Sequence, residues 1–310
     1  MQVDSNEYAL RPAASLIFSL LTIFLGFAVI GQTIGLLAGA AFYDGTFSEW
    51  TNEFSSELRM SEKIRIPLLV VQGMSTGIGL ILVPLLYLKF IEKTKLDFLR
   101  KKPNAITVSL VAVLVMVFML PDSVIIEWNS NLTLPASLDN WVRDREELAA
   151  AFTRFITQFK GTGDFLFGML VIAVLPAVGE ELAFRGLLQP ALNRISGNIH
   201  LAVWITAIIF SSFHFQFLGF IPRMLLGAIF GYLYAWSGNL WIPIAAHFVN
   251  NGLGVLMLYL YQLGLTGLDP ESTEAAPLYL TIPGGVAFIW LLKILRKKLS
   301  HEHQQVSEQA

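Results

Sequence analysis

Long apolar stretches separated by short polar connections run through most of the chain. A bilayer core of about 30 Å takes about 20 apolar residues as a helix. Eight stretches are read as spans: residues 13–42, 66–90, 105–126, one from residue 165 onward, 201–220, 222–236, 240–263 and 278–295. The expected fold is therefore all-α, a polytopic membrane protein of about eight transmembrane helices. Glycines recur at four-residue spacing in the first stretch (Gly31, Gly35, Gly39) and in the second (Gly73, Gly77). That spacing lets a neighbouring helix approach closely. The connection 127–164 mixes Arg143, Asp144, Arg145, Glu146 and Glu147 with Leu148, Phe152 and Phe155, and reads as an amphipathic helix on the outer face.

Composition supports the membrane reading. Of 310 residues, 55% are hydrophobic and 14% charged, against about 25% charged in soluble domains; the mean hydropathy is +0.61. We expect a single membrane domain over 1–310, with a flexible tail over 300–310. The chain has no cysteine, which excludes disulfides, a cysteine nucleophile and thiolate metal sites. A net charge of -2 gives no basis for a nucleic-acid partner; the expected environment is the lipid bilayer. The polar N-terminus lacks the basic region of a signal peptide, so the first stretch is expected to be retained.

Charge sets the expected orientation. Lys89, Lys93, Lys95, Arg100, Lys101 and Lys102 crowd one connection, and Lys293, Arg296, Lys297 and Lys298 follow the last stretch. The loop 266–277 carries Asp269, Glu271 and Glu274 and no basic residue. With eight spans, basic loops on the inside place both termini in the cytoplasm. In a bacterium this would be the inner membrane.

Ionisable groups inside apolar stretches are the exception that points to chemistry, since each costs about 2.5–3.5 kcal/mol to insert. They occur at three places in the C-terminal half: Glu180 and Glu181 with Arg185, His214 after Phe210, and His247 with Asn251. Gly197 lies 17 residues from both Glu180 and His214. A hairpin turning at Ser196-Gly197-Asn198 thus puts both at one depth, about 25 Å from the turn. Glu181 and Arg185 share a helix face and suit an ion pair, whereas Glu180 points about 100° away. His247 and Asn251 also share a face.

These residues resemble the CAAX prenyl protease and bacteriocin-processing (CPBP, Abi) family of intramembrane proteases, which includes the type II CAAX endopeptidase. The family motifs EExxxR, FxxxH and HxxxN are similar to Glu180-Glu181…Arg185, Phe210…His214 and His247…Asn251. The resemblance covers a catalytic core over 164–263. It implies an active site between helices in the C-terminal half of a glutamate-dependent endopeptidase without a metal or other cofactor. In it Glu180 and His214 activate water, His247 and Asn251 stabilise the oxyanion, and Glu181, Arg185 and Phe210 support the site. The implied partner is a membrane-associated protein or peptide, in the CAAX case prenylated. Two rival readings use the same residues. A glutamate and two histidines also match a catalytic zinc ligand set, giving a zinc-dependent membrane peptidase. The other is a non-catalytic membrane protein of the immunity or chaperone type.

Overall fold

The computed structural model describes residues 9–56, 60–100 and 102–308. Among these the architecture is helical without a strand. In chain order the main helices are α1 (Pro12–Ala40), α2 (Phe47–Ser55), α3 (Glu62–Ile91), α4 (Ala105–Ser130) and α5 (Ala136–Ile156). They continue as α6 (Thr162–Ser196), α7 (Ile199–Ser212), α8 (Phe220–Ser237), α9 (Trp241–Gln262) and α10 (Leu278–Glu308). Six of them, α1, α3, α4, α6, α9 and α10, are long and apolar enough to cross a membrane. The fifth and sixth apolar stretches form the shorter α7 and α8, of 14 and 18 residues.

Two expectations are corrected. The fifth stretch was expected to be helical to residue 220, but α7 stops at Ser212. Phe215 adopts φ 52°, and Ser211 Oγ donates to the Phe220 carbonyl at 2.7 Å, so the chain turns over 213–219 before α8 starts. The tail expected to be flexible over 300–310 continues as helix to Glu308, and residues 309–310 lie outside the described ones. Glu302 anchors it, pairing with Lys298 at 3.0 Å and accepting from Thr107 Oγ1 at 3.3 Å.

Several long helices widen locally to i→i+5 hydrogen bonding, and three of these segments precede a proline. Ser75–Leu82 leads to Pro84, Met169–Val174 to Pro176, and Leu182–Leu188 to Pro190. A proline ring excludes the carbonyl four residues back and offers no N–H, so the helix accommodates it by loosening a turn.

Contacts at helix ends sort into two faces. On one face Arg65 pairs with Asp164 at 2.6 Å and Arg154 with Glu271 at 3.1 Å. Ala276 N donates to Ser123 Oγ there at 3.0 Å. On the other face buried Glu92 pairs with Arg194 at 2.8 Å, and Leu240 N donates to the Phe98 carbonyl at 3.2 Å. This sorting follows from eight apolar segments alternating in direction. Both basic clusters then lie on the Glu92 face and the acidic loop on the other.

α1 and α3 run antiparallel at close range. A Cβ on Gly31 would collide with Ser75, and one on Gly35 with the Val71 backbone, as the spacing in α1 predicts. The α3 partner differs from expectation. Gly77 has nothing nearby, and Gly79 instead meets the Gly26 backbone. Gly73 faces Val171 on α6.

α6 runs between two cores. On one side Ala183, Phe184 and Leu188 pack with Ile23 of α1, Leu80 of α3 and Phe210 of α7. On the other, Leu182 and Leu187 pack with Tyr87, Tyr234 and Ile244. Val111, Phe230, Ala246 and Leu295 belong to a third core joining α4, α8, α9 and α10. The polar residues of α6 therefore sit where the N-terminal and C-terminal helices meet.

Candidate active site

The α6–α7 hairpin turns where its sequence predicts. Gly197 caps α6 in the left-handed region at φ 61°, which glycine adopts without a Cβ penalty. Asn198 Oδ1 then accepts from His200 N and Leu201 N, satisfying orphan donors at the start of α7.

Glu181 and Arg185 form the buried centre. Arg185 Nη1 donates to Glu181 Oε1 at 2.7 Å, and both side chains are 0% exposed. Arg185 Nη2 donates to the Gly227 carbonyl on α8 at 2.7 Å. The guanidinium also lies 4.9 Å from the Phe210 ring centre and 5.6 Å from that of Phe230, a cation–π arrangement that strengthens on desolvation. The arginine thus ties α6, α7 and α8 together.

His247 joins the same cluster. Its Nδ1 is 2.8 Å from Glu181 Oε1, and its Nε2 is 3.8 Å from Glu180 Oε2. The carboxylate can only accept, so Nδ1 carries the proton. The ring stacks on Phe230 at 5.2 Å. His247 is only six residues into α9, about 9 Å along it, whereas Glu181 is about 22 Å from the end of α6 at 1.5 Å per residue. The start of α9 is therefore recessed, and it is fixed by the Phe98 carbonyl and by Trp241 Nε1 donating to Leu99 O at 2.7 Å.

Glu180 turns the other way, as its position on the helix predicts. It borders a cavity of about 480 Å³ together with His214, Phe184 and Phe213. His214 sits in the turn after α7, not within the helix. Its Nδ1 is 3.0 Å from the Phe210 carbonyl, so Nδ1 donates and Nε2 is left with a free lone pair. Asn251 is one turn beyond His247 on α9, and its Oδ1 accepts from Asn250 Nδ2 at 3.1 Å, leaving the Asn251 amide hydrogens as donors. Five of the expected residues, Glu180, Glu181, Arg185, Phe210 and His247, form one contact network. His214 joins it through its ring contact with Phe210 at 5.1 Å.

Sequence reasoning missed the parts that hold the His214 turn. Leu218 N donates to Glu146 Oε1 on α5 at 2.8 Å, and Arg223 Nη2 donates to Gln216 Oε1 at 2.7 Å. Asn129 of α4 receives Ile221 N at 3.0 Å, and Trp141 meets Phe217 edge-on at 5.5 Å. The amphipathic connection is thus a brace for the site loop. Its mixed charge is a visible signal, but its contacts are 70 or more residues away in sequence. Phe230 was also missed, since nothing marks one aromatic in an apolar helix. Among the described residues, no group of three or more His, Cys, Asp and Glu side chains is arranged to hold a metal ion.

Fold and cluster together define an all-α polytopic membrane protein with a buried Glu–Arg–His centre beside an apolar cavity. Residues 162–253 match the family model described as type II CAAX prenyl endopeptidase, Rce1-like. This is the family that the three motifs resemble, and the matched segment contains all of them. The chain is similar to the uncharacterized protein YpbD of Bacillus subtilis (strain 168), 33% identical over 85 residues, covering 26% of this chain and 40% of that protein. It is also similar to the membrane-embedded CAAX protease MroQ of Staphylococcus aureus (strain USA300), 32% identical over 111 residues, covering 34% and 41% respectively. The matches thus span about two fifths of either relative's length. No solved structure matches the chain.

Proposed function

We propose that this protein is an intramembrane endopeptidase that hydrolyses a peptide bond of a membrane-associated substrate, with Glu180 and His214 as the water-activating pair. The observation that carries this reading is the division between the two glutamates. Glu181 is occupied by Arg185 and His247, while Glu180 faces the cavity that His214 also borders.

In this mechanism a water between Glu180 and His214 gives up a proton to the pair as its oxygen attacks the scissile carbonyl carbon. The carbonyl π bond becomes a tetrahedral oxyanion, which Asn251 Nδ2 and His247 Nε2 stabilise as donors. Nε2 of His247 donates only when the ring carries both protons, because its Nδ1–H is the donor to Glu181. Preorganised donors of this kind are commonly worth about 3–4 kcal/mol. The oxyanion then collapses, the C–N bond breaks, and the held proton passes to the leaving nitrogen.

No metal takes part in this scheme. Both histidines commit Nδ1 to protein acceptors and keep Nε2 for the site, an arrangement that zinc-bound histidines share, so chelation is what separates this scheme from the zinc peptidase. The substrate class is proposed from the family, whose CAAX members act on prenylated chains, and from the CAAX protease named among the relatives. Both termini are assigned to the cytoplasm, of an inner membrane if bacterial, by the basic residues on the Glu92 face.

The test is turnover of a quenched-fluorescent farnesylated CAAX peptide by the purified protein in nanodiscs. Cleavage that survives exhaustive chelation, disappears in Glu180→Gln and falls at least about 100-fold in His214→Asn, the lower end of the usual contribution of acid–base catalysis, is expected. Cleavage abolished by chelation and restored by zinc supports the zinc peptidase instead. A folded wild type that cleaves neither this peptide nor any membrane protein supports the non-catalytic reading.

A further inference from the structure

The helices α1 and α3 carry none of the three motifs, yet they form a wall of the cavity that Glu180 and His214 border. That wall extends from Ile23 to Gln32 on α1 and from Leu68 to Leu80 on α3. These stretches are about 14 and 18 Å long at 1.5 Å per residue. An extended chain of about four to five residues, at about 3.3 Å each, has the same length.

Two side chains on this otherwise mainly apolar wall are out of character. Gln32 and Gln72 both border the cavity, and the Oε1 of each is buried without a hydrogen-bond partner among the described residues. The antiparallel pairing of Gly31 with Ser75 and Gly35 with Val71 puts the two amides at one level of the helix pair. A buried carbonyl oxygen without a partner is costly, and two of them at one level of the helix pair, both on side chains that border the cavity, are a pattern that packing does not account for. On α3, Leu68, Gln72, Thr76 and Leu80 make a single stripe at four-residue spacing, and all border the cavity. A Cβ on Gly179 would touch Thr76 and Leu80, so this stripe leads to Glu180. Gln72 is one turn from Thr76, about 6 Å, which is about two residues of extended chain.

We propose that Gln32 and Gln72 form a substrate subsite, a pair of amides that hydrogen-bond the backbone of an extended polypeptide about two residues from the bond presented to Glu180 and His214. This deepens the peptidase reading and rests on it. Each amide offers both a donor and an acceptor, which is what an exposed peptide group needs. The subsite therefore reads backbone, not side chains, and is tolerant of sequence. It selects unwound chain, because the peptide groups of an intact helix are already bonded within the helix. A transmembrane substrate must open locally to reach the glutamate. A lipid tail in the same space would leave both amides unpaired.

The test uses the full chain in nanodiscs with Glu180→Gln to stop turnover. The probe is a fluorescein-labelled pool of apolar decapeptides, compared with the same pool methylated on its backbone nitrogens. Glu180→Gln is expected to bind the plain pool about tenfold more tightly than the methylated one, the effect of about one net hydrogen bond. Adding Gln32→Met or Gln72→Met should each weaken binding of the plain pool and narrow the difference between pools, and the two together should weaken it about tenfold and erase the difference. The Met variants should melt at or above the parent temperature, because an unpaired amide has been removed. Equal affinity for the two pools, unchanged affinity in both Gln variants, or no binding of either pool overturns the subsite. A marked fall in melting temperature in the Gln variants also overturns it, in favour of a structural role. Failure of the peptidase reading shows separately, in cleavage: wild type then leaves the plain pool uncut, or Glu180→Gln cuts it as fast as wild type, whatever the Gln variants do to binding.

Discussion

Glu181 and Arg185 pair at 2.7 Å with neither side chain exposed, while the adjacent Glu180 is turned into a cavity. One turn of helix thus keeps two carboxylates for two purposes. Removing one partner of a buried pair commonly costs about 3–5 kcal/mol, whereas removing both can be nearly neutral. Glu181→Gln and Arg185→Met are each expected to lower stability by that order, and the double variant to recover part of the loss. Thermal and denaturant melts of the four proteins in detergent measure this. Additive losses in the double variant would mean that the two residues are held independently.

The turn carrying His214 is fixed from outside the motif region. Glu146→Ala removes the acceptor of Leu218 N but disturbs a partly exposed helix. It should leave the melting temperature within a few degrees of wild type and lower kcat about tenfold, since small displacements of a catalytic group are expensive in rate. Measuring kcat and melting temperature together checks the assignment. A large fall in stability with an unchanged kcat would make α5 a structural strap only.

Close approach of α1 and α3 depends on Gly79 more than on Gly77. Gly79→Ala places a Cβ against the Gly26 backbone and is expected to destabilise by about 1–3 kcal/mol as overpacking. Gly77→Ala has nothing to meet and should be neutral or slightly stabilising, since it favours helix. Parallel melts separate them, and equal effects would contradict the observed register.

Both basic clusters lie on the Glu92 face. Reporter fusions after Lys102 and after Lys298 are therefore expected on the same side of the membrane, the cytoplasm. Opposite sides would contradict the alternation of eight segments.

Much of the fold and of the site is legible in the sequence. Apolar length located the helices, because a bilayer leaves few alternatives to a helix of about 20 residues. Helical phase separated Glu180 from Glu181, and equal spacing from Gly197 set Glu180 and His214 against one cavity. The end of α7 was not legible. Phe213 and Phe215 continue the apolar pattern while the backbone turns, and the Ser211–Phe220 hydrogen bond that fixes the turn spans nine residues. The helical end of α10 was hidden because its anchor, Glu302 to Thr107, crosses 195 residues. The choice of Gly79 over Gly77 depends on α1, whose register against α3 is a tertiary fact.

The most direct test of the central claim compares the membrane proteomes of cells carrying wild type and Glu180→Gln. The account predicts that at least one membrane protein is cleaved only with wild type, while Glu180→Gln accumulates and melts like wild type and Glu181→Gln melts early. Identical cleavage products in both strains, with Glu180→Gln folded, would contradict Glu180 as the base.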